Sequence, residues 1–378
     1  MKHIRARVSA ALFLSLSLIA PRGFAASADI VLDVPAEFTA SSITAAGEGL
    51  YCISGDVYHD EVPNHSAMML LVDTHARRVL WKTDIPYAKD HFENAGMKCI
   101  RDGEFYYALT EERTDSFAAQ SHTQLIVSKI SSTGKLLKAQ RVDVGADVWE
   151  NLFEAGPDGL SIVGGTSTDG VDRGGKRSLF LVRFDQDLAR KQFVVLPTGA
   201  FWTGSYAKLD GTSLLISGQF LANPGASASL HEGYAVSKID LGKMRYLWST
   251  FVYPTNIDAQ GAVSLPDGGI ADVGVSGDRL SISVIDAFGR VARRMSMKST
   301  ICSVDALGVK AATLQIVGTG CGEKHAALLL DIDPAAGAIV ATHDLGDRAT
   351  GASFDGDTLW TVVAQSNGDR QVLRRVTR

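Results

Sequence analysis

The chain of 378 residues has little of what membrane, redox and nucleic-acid proteins are built on. Beyond its first two dozen residues no run stays apolar for about 18 positions, the length a membrane-crossing helix needs. It has four cysteines, and none sits in a Cys-x-x-Cys or Cys-x-x-Cys-His pattern, so neither a dithiol redox pair nor a covalent haem attachment is encoded. Gly-x-Ser-x-Gly and phosphate-loop motifs are missing. Basic charge is scarce too: the formal net charge is −5. That excludes sequence-independent binding to nucleic acid, which needs a basic footprint.

The first residues explain part of the charge. Met1-Lys2-His3-Ile4-Arg5-Ala6-Arg7 is a basic start, residues 8–20 are apolar and too short to span a bilayer, and small residues follow. Residues 1–25 read as a signal peptide, with cleavage after Ala25 or Ala28, and 29–378 as a single domain. No cysteine follows Leu18-Ile19-Ala20, so no lipid anchor is expected. Loss of Lys2, Arg5, Arg7 and Arg22 takes the net charge from −5 to −9. The expected location is the periplasm or the medium. An even cysteine count in such an oxidising compartment points to disulfides. Cys302 and Cys321 flank one expected hairpin, which leaves Cys52 to pair with Cys99 on neighbouring repeats.

What the chain does have is repetition. Asp158-Gly159-Leu160-Ser161-Ile162-Val163-Gly164 is a turn, a short apolar strand and a small residue. The unit recurs at Gly49 to Gly55, Asp102 to Ala108, Asp210 to Gly218, Asp267 to Gly274, Leu314 to Gly318 and Asp355 to Ala364. The small residues 55, 108, 164, 218, 274, 318 and 364 are 44 to 56 apart. Each copy continues with a second apolar strand, such as Phe180-Leu181-Val182-Arg183, a tight turn, and a third, such as Tyr246-Leu247-Trp248-Ser249. A further strand precedes each unit. A period near 50 made only of short strands is the signature of a β-propeller with one four-stranded sheet per blade. The expectation is therefore an all-β, seven-bladed propeller. Asp-Gly turns suit tight hairpins whose two central residues both take positive φ.

The seventh copy stops before its last strand, while Ile30-Val31-Leu32-Asp33-Val34 precedes the first copy as a surplus strand. Pairing that strand with residues 372–376 closes the ring in a 3+1 arrangement and removes an open edge.

Gly164-Gly165-Thr166 with Leu181 to Asp185, and Gly233 to Asp240 with Leu247-Trp248-Ser249-Thr250, resemble the bacterial exported β-propeller repeat families. The resemblance covers nearly the whole mature chain, is best in blades three to five, and implies a fold without a catalytic motif.

The short turns between first and second strands, and between third and fourth, share one face of such a ring. The opposite face carries the loops of variable length, 57–66, 111–122, 167–177 and 221–233, and variable loops on a rigid scaffold are where function concentrates. The segments entering each blade there bring Asp90, His91 and Glu93, then Trp149, Glu150 and Asn151, then Trp202, Asp258 and Arg348 to the channel mouth. These are the expected binding residues. Acids from several blades suit a divalent cation such as calcium; Trp149 and Trp202 suit a sugar or aromatic ligand, or simply cap the core. His59, His65, His122, His231 and His325 match no zinc spacing and read as loop histidines. Ser205-Tyr206-Ala207-Lys208 matches Ser-x-x-Lys without its partner motifs.

Three functions compete. The first is a binding scaffold of the cell envelope, taking a protein or glycan on the loop face. The second is a metal-assisted, lactonase-like hydrolase or lyase using Glu93, Glu150 and Asp258. The third is the propeller subunit of a periplasmic dehydrogenase.

Overall fold

The computed structural model describes residues 29–59, 65–88, 91–114, 122–167, 177–196, 201–220, 233–322, 325–346, 349–364 and 370–376. All regular elements among them are strands, and they form seven four-stranded antiparallel sheets.

Blade 1 comprises β2 (Phe38–Gly47), β3 (Leu50–Tyr58), β4 (His65–Asp73) and β5 (Arg78–Asp84); blade 2 comprises β6 (Glu93–Asp102), β7 (Phe105–Arg113), β8 (Thr123–Ile130) and β9 (Leu136–Arg141). Blade 3 comprises β10 (Asp147–Gly156), β11 (Gly159–Ser167), β12 (Arg177–Phe184) and β13 (Arg190–Val195); blade 4 comprises β14 (Phe201–Asp210), β15 (Ser213–Phe220), β16 (Gly233–Asp240) and β17 (Arg245–Pro254). Blade 5 comprises β18 (Asp258–Ser264), β19 (Ile270–Ser276), β20 (Arg279–Ile285) and β21 (Val291–Lys298); blade 6 comprises β22 (Ile301–Lys310), β23 (Thr313–Gly320), β24 (Ala327–Asp333) and β25 (Ala338–Asp344). Blade 7 comprises β26 (Ala349–Asp355), β27 (Thr358–Ala364), β28 (Gln371–Val376) and, as its fourth strand, β1 (Ile30–Val31).

The first strand of each blade contacts the first strands of its two neighbours, and β26 meets β2, so these seven strands wall the central channel. Second and third strands are buried almost throughout, as in β11 and β4, because both faces of each sheet pack on adjacent blades. Fourth strands alternate or are exposed, as in β13 and β25, and form the rim. The core accordingly lies in layers between sheets: Tyr107, Leu109, Phe153, Ile162, Phe180 and Val182 fill the layer between blades 2 and 3.

Closure is as expected, with a shorter strand. Ile30 pairs with Leu373 and Val31 with Val372, and Leu32 continues it through its N–H to the Gln371 carbonyl at 3.0 Å. Asp29 then takes a two-pronged contact from Arg374, Nε and Nη2 each at 2.9 Å.

The turns differ from expectation. The glycines at 103, 211 and 356 have φ of 62°, 55° and 55°, while the aspartates before them end their strands in ordinary conformations. Only the first of the two loop residues is left-handed, the pattern of a type II′ hairpin. In blade 6 Ala311 occupies that position with φ 53°, a conformation a Cβ disfavours.

Both cysteine pairs fall within bonding distance, Cys52 with Cys99 across blades 1 and 2 and Cys302 with Cys321 inside blade 6. Cys52 and Cys99 are fully buried and 47 residues apart, so loop-closure entropy ties about 4 kcal/mol to that bond. Replacing both by alanine should lower the denaturation midpoint markedly more than replacing the exposed Cys302–Cys321 pair, 19 residues apart; chemical denaturation of the two double variants checks the order.

Candidate functional site

In every blade, the pairing of first and second strand slips at the same height. The slips fall between Ala40 and Ser42, Gly96 and Lys98, Glu150 and Leu152, Gly204 and Tyr206, Ala259 and Gly261, Val304 and Ala306, and Ala349 and Gly351. Each slip is a β-bulge, which bends the strand and re-aims the extra side chain. The extra residues are Ser41, Met97, Asn151, Ser205, Gln260, Asp305 and Thr350. All seven keep accessible surface although they lie on the inner strands. They form a ring in the channel wall, six of them polar. The bulges also correct the repeat register: the partners of the residue before each bulge are Gly55, Thr110, Gly164, Gly218, Gly274, Gly318 and Val363, so residues 108 and 364 are not the equivalents in blades 2 and 7.

Neighbouring blades meet through this ring. Gln260 Oε1 accepts the N–H of Val304 in the next blade at 3.3 Å. The Asn151 amide lies flat on Gly204 of the next blade, where a Cβ would fall 2.4 Å from its Cγ.

Against this frame two charges stand out. The residue before the bulge is Ala, Gly or Val in six blades and Glu150 in blade 3; the residue after it is uncharged in six blades and Lys98 in blade 2. Lys98 and Leu109 are opposite each other on the face of blade 2 turned to blade 3, as are Ala95 and Glu111, and Glu93 and Arg113. The seam between blades 2 and 3 thus gathers Lys98, Glu111, Glu150 and the Glu93–Arg113 pair, joined at 3.2 Å. Glu150 keeps a little surface on the channel while protein atoms surround it on nearly every side.

Burial pushes the Glu150 carboxyl up, opposed by the nearby Lys98 charge. It pushes Glu111 up as well; Arg113 pulls the other way and Glu150 and Glu93 add to the rise. Glu154, two residues past Leu152, is raised by burial against Lys98, Lys208 and Arg183. Burial lowers Lys98, and Glu150 and Glu154 counter it. Among the described residues no ion pair of 4.0 Å or less reaches Lys98 or Glu150, so each is available to a third group.

The other expected site residues have different surroundings. Asp90 and Arg348 lie outside the described residues, as does the side chain of Trp202. His91 is bonded through Nδ1 to Glu112 on the face of blade 2 turned to blade 1. Trp149 lies on the backbone at Gly165 and packs with the core shared by blades 3 and 4, as a cap of that core. Asp258 is exposed in blade 5 and accepts from Gln260 Nε2 at 2.6 Å. Glu93, Glu150 and Asp258 do not converge, and among the described residues no three His, Cys, Asp or Glu side chains come together as metal ligands. His65 and His122 are held by Asp56 and Asp147, at 2.6 and 3.1 Å. Lys208 bonds Ser264 Oγ at 3.2 Å and does not act on Ser205. On the turn face, a cleft of about 120 Å³ between blades 4 and 5 is lined by Lys208, Lys238 and Trp248, so that face is less plain than its short turns imply.

No family model matches the chain. No curated protein matches it by sequence. Solved structures with the same fold do. The Saccharomyces cerevisiae protein Sqt1 superposes with a TM-score of 0.51 at 12% identity, over 89% of this chain and 85% of that one. The β-propeller domain of the Trilobed protease from Pyrococcus furiosus gives 0.51 at 9% identity, over 90% and 94%. That domain is described as having an open velcro topology, whereas β1 closes the ring here. Puromycin hydrolase gives 0.57 at 13% identity over 89% of this chain, which spans about half, 51%, of that protein. At these identities the likeness is one of fold.

Proposed function

We propose that the chain is an exported ligand-binding propeller of the cell envelope, and that its ligand presents a protonated amine, as a lysine-bearing protein or an aminosugar, to the channel wall between blades 2 and 3. One observation carries this reading: Glu150 and Lys98 stand, without close ion-pair partners, at positions flanking the bulge that are uncharged in every other blade. A buried carboxylate with no partner is costly, and an incoming ammonium relieves that cost. Glu111 supplies a second acceptor, and Lys98 repels cations that do not fit between the acids. Two disulfides support export.

Calorimetric titration with oligolysine and with glucosamine oligomers tests this. Glu150→Gln should weaken binding by ten- to a hundredfold, since a charge-assisted bond contributes about 1.5–3 kcal/mol. N-acetylated versions of the same probes should not bind. Equal binding of free and acetylated probes would refute the reading.

A further inference from the structure

One blade on from that seam, a bulge residue of blade 4 begins a chain of hydrogen bonds into the core. The Ser205 hydroxyl donates to Ser217 Oγ at 3.2 Å. The Ser217 hydroxyl in turn donates to Asp272 Oδ2 on the next blade. Both donors point the same way, toward the carboxylate. Asp272 has no exposure at all, and its second oxygen, Oδ1, is buried without a partner.

The position of Asp272 is what makes this chain informative. It lies opposite Ala262, one residue past the bulge region. The residues in that register in the other blades are Ile53, Ala108, Ile162, Ile216, Ile316 and Thr361. Six blades put an uncharged, buried side chain there; blade 5 alone puts an acid. No cation faces it. Tyr253, from β17, gives its hydroxyl to the Asp272 carbonyl at 2.6 Å and accepts the Ser283 N–H at 3.1 Å, and Tyr234 is the other titratable side chain that feels its charge. A packed aliphatic side chain is the more stabilising choice at such a site, so fold stability does not account for the acid.

The mouth of the chain is open. Ser205 keeps accessible surface. On one side Gly261 of blade 5 brings no side chain; a Cβ there would fall 3.9 Å from the Ser205 carbonyl oxygen. On the other, the Asn151 amide rests on Gly204 with Oδ1 buried and unpaired.

We propose that Ser205 is a nucleophile of the channel wall that attacks carboxylic esters, with Ser217 and Asp272 as the relay that takes its proton and the Asn151 amide beside it. Ser205 Oγ forms the bond to the ester carbonyl carbon while its proton passes to Ser217 and the Ser217 proton to Asp272 Oδ2. The bond to the alcohol oxygen then breaks as the Ser217 hydroxyl gives its proton to the departing alkoxide and Asp272 returns its own to Ser217. Water hydrolyses the acyl-serine by the same path, restoring the hydroxyl and releasing the acid. Burial raises the Asp272 carboxyl to about 7, where a base is best matched to neutral conditions. Ser217 and Asp272 act through Ser205 and are positioning groups. This chemistry is independent of the Lys98–Glu150 seam.

A fluorophosphonate probe and p-nitrophenyl acetate, used on the full chain, test it. The probe should label Ser205 and no other serine, with a rate that climbs through about pH 7. Ser205→Ala should abolish labelling. Asp272→Asn, which keeps an acceptor for Ser217, should slow it a hundredfold or more and flatten the pH profile. Ser205→Cys guards against a folding defect: its thiol should be alkylated by iodoacetamide faster than the same thiol with Asp272→Asn. No labelling of Ser205, or labelling with the same pH profile in Asp272→Asn, overturns the proposal.

Discussion

A chain lacking residues 29–34 should lose about 5 kcal/mol of stability, and its melting temperature should fall by roughly 10 °C. The physical content is local. Ile30 and Leu32 are 5% and 0% exposed, and burying two such side chains contributes about 1.5–3 kcal/mol each. The deletion also strips β28 of its partner, leaving its N–H and C=O groups as an open edge. The Asp29 contact to Arg374 goes with it, as does that of Asp33, whose carbonyl accepts Lys82 Nζ at 2.8 Å. The loss is comparable to the whole stability of many domains, so aggregation should accompany it. Asp29→Asn alone, which spares the strand, should cost on the order of 1 kcal/mol or less. Thermal unfolding of both variants followed by circular dichroism checks the pair. An unchanged melting temperature in the deletion would mean that β1 does not hold the ring.

The closure was legible in the sequence because it is a counting argument: one strand too many at the start and one too few at the end. The blades were legible because each turn glycine is followed by an apolar run of strand length. The disulfides followed from the same alignment. The site was legible only in part. Glu150 and Asn151 could be placed near the channel mouth, since they enter a first strand from the loop face. Their roles could not be read, because a bulge is a feature of pairing. It adds one residue on one side of a ladder, and nothing in Gly96-Met97-Lys98-Cys99 announces that Met97 is the extra one. For the same reason Lys98 reads as an ordinary exposed residue of an alternating strand. Trp149 was open between a ligand platform and a core cap; it is a cap, because the glycine that receives its ring, Gly165, lies on the adjacent strand. Asp272, between Ala271 and Val273, reads as a break in an apolar run. Only its register beside Ile162 and Ile216 shows it as an acid in a core position.

Asp272 carries the second large effect, and its sign follows from burial. The carboxyl titrates at about 7 in the folded chain and at about 3.9 when unfolded. The folded state therefore holds the proton more tightly. The stabilisation from the protonated form is complete below about pH 4 and is lost as pH rises through 7. Three units of difference amount to about 4 kcal/mol between those limits. Asp272→Asn cannot ionise and mimics the protonated acid, so it should show no such loss from this site. Its advantage over the parent should be negligible at pH 4 and reach about 4 kcal/mol at pH 8, or on the order of 5–10 °C in melting temperature. Urea titrations at a series of pH values measure this directly; parallel curves for parent and variant would show that Asp272 is not ionised in the folded ring. The same ionisation that weakens the seam between blades 4 and 5 makes the carboxylate able to accept a proton from Ser217. Stability and nucleophilicity should thus move in opposite directions with pH. A variant that gains the first while losing the second would tie both to one buried oxygen pair.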